Sequence, residues 1–245
     1  AAVVRTITMD GLTSKGSDYA VPNNVSAKTL AINGLSEGDD VNLYVYPSQQ
    51  ADVTVSWTDG TGTKNTNQQT LEANRVSVID LGSVPKSATG LTISATEPVT
   101  AAAKVTNDGD GDQADFALVN ASVPMNVSAI AVPDHATAQV SVTNTSDDDR
   151  TATLTSYNGD GDIVEQSDLT IRAGASTTIE LADINDGDVA AVSLADPDQS
   201  MVWNIRVSQK DVSDAKLAGV SIIGATDLKE AREQVRSNQN MTIVR

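Results

Sequence analysis

Apolar residues alternate with polar ones along most of this chain. Residues 41–45 and 53–57 show the pattern clearly, with valine, leucine or tryptophan at every second position. A period of two is typical of half-buried β-strands, whose successive side chains point to opposite faces of a sheet. Further alternating runs cover 76–81, 91–95, 101–105, 140–142, 152–154, 163–169, 177–181, 189–194 and 201–207. The pattern therefore predicts strands from one end of the chain to the other.

Turn signals separate these runs. Asp59-Gly60, Asn158-Gly159, Ala173-Gly174 and Asp186-Gly187 fall between predicted strands, as in β-sandwiches, where turns recur every 8 to 12 residues or so. We therefore predict an all-β fold made of immunoglobulin-like β-sandwich domains.

A repeat indicates how many domains there are. The segment Val21-Pro22-Asn23-Asn24-Val25-Ser26-Ala27 returns 102 residues later as Val123-Pro124-Met125-Asn126-Val127-Ser128-Ala129, with six of seven positions identical. Residues 103–105 similarly match 205–207, and Asp18-Tyr19-Ala20 is similar to Asp115-Phe116-Ala117. We predict two tandem sandwich domains, at 1–114 and 115–245.

The C-terminal region departs from the strand pattern. Asp227 and Glu230 have the spacing of a capping box, and Leu228, Ala231 and Val235 fall on one face of a helix. The sequence therefore predicts one short helix at about 227–236.

The composition excludes several partners. A net charge of −17 and a pI near 4.2 repel nucleic acid phosphates and anionic membranes. No apolar run approaches the roughly 18 residues of a membrane helix, so no membrane insertion is expected. The chain contains no cysteine, which excludes disulfides, thiolate metal sites and cysteine nucleophiles.

Two acidic loops are candidate metal sites. Asp108, Asp110 and Asp112 alternate with glycine, and Asp160 and Asp162 follow the same pattern after an asparagine. Closely spaced carboxylates can bind Ca²⁺, but neither loop has the bidentate glutamate of an EF-hand. The alternative is that both are ordinary hairpin loops. Calcium is the only cofactor that the sequence suggests.

Three aromatic residues form a candidate ligand site. Tyr44 and Tyr46 share one strand face, and Trp57 lies on the following predicted strand. Exposed aromatic rings can stack on sugars, so these three could form a carbohydrate platform. The alternative is that they pack within the fold.

Catalytic motifs are missing. The single histidine, His135, follows a proline turn beside Asp134, which is typical of an exposed loop. The chain has no G-x-S-x-G nucleophile elbow, P-loop or H-E-x-x-H motif. We therefore expect that the protein is not an enzyme.

The second repeat resembles a known group of proteins. Residues 140–144, 158–161, 172–181 and 204–207, with the joining segment 115–117, are similar to large, secreted, uncharacterised repeat proteins of actinobacteria. This resemblance spans most of residues 20–223. It implies a secreted or cell-envelope-attached location, and it implies no activity and no functional residues.

Three functions remain open. The first is a structural or adhesive extracellular module whose partner is a cell-wall or host glycan or a protein. The second is a carbohydrate-binding module that acts with or without Ca²⁺. The third is an acidic surface or capsid-like protein of a salt-adapted system. The sequence does not predict the oligomeric state.

Overall fold

The structure is a computed structural model that describes residues 4–10, 13–58, 64–84, 88–107, 115–133, 137–184, 188–209 and 219–228. Nearly every described element is a strand, so the predicted all-β class is confirmed. The only described helical element with assigned bounds is a single 3-10 turn at Leu181–Asp183. No described residue belongs to a helix with the length and hydropathy needed to cross a bilayer.

The first described element is an antiparallel hairpin. Its strands, β1 (Val4–Asp10) and β2 (Thr13–Ala20), form a two-stranded sheet, and no other described strand pairs with them. A two-stranded sheet is marginally stable alone in water. The hairpin therefore depends on packing against the rest of the protein, where β2 lies against β9.

Seven strands follow, which we call the first unit. They are β3 (Ala27–Asn33), β4 (Asp40–Pro47), β5 (Ala51–Thr58), β6 (Lys64–Leu71), β7 (Ser77–Ser83), β8 (Gly90–Thr106) and β9 (Phe116–Asn120). The long strand β8 joins two groups. Its first half pairs with β3 and β5, and its second half pairs with β4 and β9.

The remaining strands form the second unit. They are β10 (Val127–Ala131), β11 (Thr137–Asn144), β12 (Arg150–Tyr157), β13 (Ile163–Ile171), β14 (Ser176–Glu180), β15 (Ala191–Ala195), β16 (Met201–Gln209), β17 (Gly219–Gly224) and β18 (Thr226–Asp227). The sheet orders are β13-β12-β15-β10-β18 and β14-β11-β16-β17. These orders repeat those of the first unit, with β15 and β16 in the place of the single strand β8.

A buried carboxylate lies at the point where the two units differ. Asp196 is fully buried, and its Oδ2 accepts hydrogen bonds of 2.6 Å from the backbone N–H groups of both Ser200 and Met201. Those bonds close a turn between β15 and β16. The first unit passes through the equivalent region as one continuous strand.

Each unit has its own hydrophobic cluster, built from the inward positions of the alternating strands. Leu43, Val45 and Ile93 are among the first, and Val140, Leu154 and Trp203 are among the second. Aliphatic residues dominate both, as a chain with only 3% aromatic residues requires.

Three finer predictions were not tested. The domain boundary at 114/115 and the immunoglobulin-like type stay predictions, although β9 at Phe116–Asn120 pairs with β8 of the first unit. The helix predicted at about 227–236 lies mostly outside the described residues. Its first residue, Asp227, ends the short strand β18.

Candidate interaction surface and unit junction

Two tyrosines lie exposed on one face of β4. Tyr44 and Tyr46 are 38% and 40% exposed, because alternation turns Leu43 and Val45 into the core and the tyrosines outward. Beside them, on and just before β7, Val76 and Val78 are each 56% exposed. We call Tyr44, Tyr46, Val76 and Val78 the outer face of the first unit.

Polar contacts and a cleft border this face. The hydroxyl of Tyr46 donates a 3.2 Å hydrogen bond to Oδ1 of Asn74, which sits in a turn with φ of 59°. On the other side, Tyr44 lines a cleft of about 490 Å³ between β2, β9 and β17. Tyr19 and Asn120 also line this cleft, so aromatic and amide groups are both available to a ligand.

The structure does not bring Trp57 to this face. Trp57 packs against the first hydrophobic cluster, and its indole nitrogen is buried without a hydrogen-bond partner among the described atoms. The same alternation that exposes Tyr44 turns Trp57 inward with Val53 and Val55. The predicted platform of three aromatic residues therefore reduces to two, and sugar binding by those two stays a prediction.

The candidate metal ligands are only partly visible. Asp108, Asp110 and Asp112 lie outside the described residues, as does His135. Asp160 and Asp162 lie exposed in the turn between β12 and β13.

The turn between β12 and β13 is closed by its own hydrogen bonds. Oδ1 of Asn158 accepts from the backbone N–H groups of Asp160, at 3.1 Å, and Asp162, at 2.9 Å. Gly161 supplies the left-handed conformation that the turn needs, with φ of 85°. Across the described ranges, no three acidic or histidine side chains are placed to hold a metal. Calcium binding stays a prediction.

A buried polar cluster lies elsewhere, where the two units meet. Arg206 of β16 makes two hydrogen bonds to Asp39 of the first unit, with Nη1–Oδ2 at 2.6 Å and Nη2–Oδ1 at 3.1 Å. A third bond of 2.8 Å runs from Arg206 to the carbonyl oxygen of Gly34. Both charged side chains are buried. This fork geometry is the arrangement in which an arginine–carboxylate pair is strongest.

Amide and hydroxyl groups extend the junction. The backbone N–H of Asn33 donates to Oδ1 of Asn204 at 3.1 Å, and its side-chain nitrogen donates to the carbonyl oxygen of Val202 at 2.9 Å. The hydroxyl of Thr143 donates to Oδ1 of Asn33. The side chain of Asn33 is therefore fixed between β11 and β16 of the second unit.

Apolar packing crosses the junction as well. Val220 and Ile222 of β17 belong to the first hydrophobic cluster, although β17 pairs with β16 of the second unit. The next residue, Ile223, packs against the second cluster. One strand thus contributes to both cores.

Burial affects the charge state of the ion pair. Loss of hydration raises the pKa of the Asp39 carboxyl above its ordinary value. The hydrogen bonds and positive charge of Arg206, together with a hydrogen bond from the backbone of Ser36, oppose that rise, and the neighbouring charge of Asp40 adds to it.

Sequence reasoning did not identify this junction. Arg206 falls at a polar position of the alternating run 201–207, where a charged side chain is ordinary. Nothing near Asn33 or Asp39 indicated that a second unit would cover them.

Comparison with known proteins adds a family. A family model matches residues 1–182, which is most of the chain. The chain belongs to DUF5719. This family is one of unknown function, so the DUF5719 assignment brings no activity with it. The resemblance to actinobacterial repeat proteins stays a prediction.

Other comparisons are weaker. No curated protein matches the sequence. The PBSX exported protein XepA is similar at 10% identity and a TM-score of 0.26, over 78% of this chain and 90% of that one. A candidate secreted protein from Parabacteroides distasonis ATCC 8503 is similar at 12% identity and a TM-score of 0.20, over 89% and 85%. At these scores neither similarity carries information about this DUF5719 chain.

Proposed function

We propose that this chain is a non-catalytic structural or adhesive module of an exported or envelope-attached protein, in which two sandwich units are held as one rigid body. The buried junction carries this proposal. A buried ion pair adds little net stability compared with apolar packing, but it penalises any orientation that separates the charges. The pair of Asp39 and Arg206 therefore suits a part whose role is to hold a fixed geometry.

The described surface supports a role without catalysis. Asp18 is the acidic group that lines the cleft beside Tyr44, and its Oδ2 accepts a 2.6 Å hydrogen bond from the backbone N–H of Leu118. A carboxylate held in this way serves packing. An acidic chain without cysteine is also compatible with an extracellular setting, which remains part of the proposal.

Rigidity can be measured with spin labels, because the chain has no cysteine of its own. We would introduce Gln68→Cys on β6 and Gln166→Cys on β13, both exposed, and measure the distance between the two labels by pulsed electron resonance. A single narrow distance distribution is expected. An Arg206→Ala variant with the same labels should give a broader one. A broad distribution in the parent chain would contradict the proposal.

The outer face favours a second candidate, carbohydrate binding. Tyr44 and Tyr46 present two exposed rings beside a cleft, which is how a sheet can offer stacking surfaces to a polysaccharide. Pull-down with insoluble polysaccharides, with and without Ca²⁺, would test it. Tyr44→Ala should abolish retention, and Ile163→Ala, an exposed apolar residue of the second unit, should not. Absence of retention by the parent chain would remove this candidate.

A further inference from the structure

The outer face of the first unit has a counterpart in the second unit. The sequence match between 103–105 and 205–207 fixes the register. Tyr44 on β4 pairs with Ala102, and Ser141 on β11 pairs with Asn204. Ala102 and Asn204 are the residues that immediately precede the two matching segments. By the same register, Tyr46 corresponds to Thr143. The edge strands β7 and β14 correspond in the same way. Val76 and Val78, beside the two tyrosines, correspond to Ser176 and Thr178 in the second unit.

Burial at these positions is the reverse of what the residue types favour. Ser141 and Thr143 are 0% and 1% exposed, because the first unit covers them. The large apolar counterparts in the first unit are exposed. Within a chain of net charge −17, such an apolar patch is typical of an interaction surface.

The β1–β2 hairpin indicates what covers this surface. At the junction, Oδ2 of Asp115, next to β9, accepts a 3.0 Å hydrogen bond from the backbone N–H of Val220 on β17. Asp18 of β2 accepts in the same manner from Leu118 of β9. Asp18-Tyr19-Ala20 is also similar in sequence to Asp115-Phe116-Ala117. We conclude that β2 packs against β9 in the same way that β9 packs against β17. The hairpin therefore has the position and the contacts of the last strands of another unit.

The first strand of this hairpin also lacks a neighbour. Its equivalent in the first unit is the second half of β8, which pairs with β4 on one side and β9 on the other. Its equivalent in the second unit is β16, which pairs with β11 and β17. Among the described residues, β1 pairs with β2 alone. Its side chains Val4, Ile7 and Met9 are 59%, 44% and 52% exposed.

We propose that Tyr44, Tyr46, Val76 and Val78 are the docking surface for a further sandwich unit of this same kind, whose last two strands are β1 and β2 and whose other strands precede Val4 in the same polypeptide. A second copy of the chain does not fit, because docking in the observed manner would bring its own β17 to the place that β2 occupies. The proposal extends the rigid stack proposed above from two units to three and rests on that function.

A pair of single cysteines tests the proposal in an otherwise cysteine-free chain. Tyr44→Cys reports on the outer face, and Ser141→Cys is its matched control. The serine change is mild, since Oγ of Ser141 has no hydrogen-bond partner among the described atoms. Thiol labelling is compared in residues 1–245 and in the natural polypeptide extended upstream through the coding sequence of its gene.

In residues 1–245, we expect Tyr44→Cys to react at least about tenfold faster than Ser141→Cys. In the longer polypeptide, both thiols should react slowly, and hydrogen exchange of the β1 amides in the unsubstituted protein should slow as well. Equal reactivity of Tyr44→Cys in the two chains would overturn the proposal, as would a gene that encodes no such unit upstream.

The same experiment separates the other occupants. Protection of Tyr44→Cys by an added polysaccharide, without protection by the upstream segment, would assign the face to a glycan and overturn the proposal. Protection that depends on the concentration of residues 1–245 would assign it to a second copy, with the same consequence. The spin-label distance within residues 1–245 requires no upstream unit, so failure here is distinct from failure of the proposed function.

Discussion

At the scale of single residues, the direction in which folding shifts the pKa of Asp39 can be tested. A carboxyl with a higher pKa in the folded than in the unfolded protein binds its proton more tightly when folded. Its contribution to stability is therefore full below the unfolded-state pKa and is lost as the pH rises through the folded-state pKa. The stability advantage of the parent over Asp39→Asn should accordingly shrink as the pH rises from about 3.5 to neutral.

Urea unfolding across that pH range measures this difference. Asp160→Asn, which removes a carboxylate from an exposed turn, is the control and should change the free energy of unfolding by less than about 0.5 kcal/mol. An advantage that grows with rising pH would show that Arg206 lowers the pKa of Asp39 and would contradict the account.

Gly90 tests how closely the units approach. A Cβ at this position would collide with side-chain oxygens of Asn33 and Thr143 and lie 3.0 Å from Oγ of Ser176. We expect Gly90→Ala to lower the free energy of unfolding by about 1 to 3 kcal/mol. Gly159→Ala, which has open space around its Cβ, should change it by less than about 0.5 kcal/mol. Similar effects of both substitutions on chemical denaturation would argue against a tight junction.

The sequence predicts the face on which a side chain lies wherever alternation along a strand determines it. It indicated correctly that Tyr44 and Tyr46 share a face. Applied to 53–57, the same alternation places Trp57 with Val53 and Val55, so the sequence contained the signal that Trp57 faces the core. The roles of Asn33, Asp39 and Arg206 could not be read in this way, because they depend on a contact between distant parts of the chain.

At the scale of elements, substitutions at two consecutive residues of β17 test how this strand packs against the two cores. Ile222 packs into the first core, so close to Gly34 that a Cβ added to this glycine would lie 3.0 Å from Cγ2 of Ile222. Ile223 packs against the second core. Ile222→Ala should cost about 2 to 5 kcal/mol and speed hydrogen exchange in β3 and β8 of the first unit. Ile223→Ala, at a partly buried site, should cost less and affect β16. Exchange that speeds only in the second unit for both variants would contradict this packing.

The strands themselves were predictable, because their period of two reflects one buried face. The placement of β9 and β17 was not. Each pairs within its own unit and also packs against a strand of the neighbouring unit, and no local pattern records a second contact. Alternation also did not distinguish the continuous β8 from the divided pair β15 and β16, because it shows two runs in each unit, and only in the second does a turn closed by Asp196 separate them.

At the scale of the whole molecule, the net charge of −17 should make stability depend on salt. Raising NaCl from about 0.1 M to about 1 M shortens the Debye length from roughly 10 Å to 3 Å and screens self-repulsion. We expect the melting temperature to rise, and to rise similarly in Arg206→Ala, because the buried pair is screened little. An unchanged or lower melting temperature would remove the support for a salt-adapted protein.

Unfolding tests most directly whether the two units behave as one rigid body. Trp57 reports on the first core and Trp203 on the second, so Trp57→Phe and Trp203→Phe each leave one local probe. In urea, we expect tryptophan fluorescence and far-UV circular dichroism of each variant to follow a single, coincident transition. A dichroism curve with two steps, only one of which is matched by the fluorescence, would contradict it.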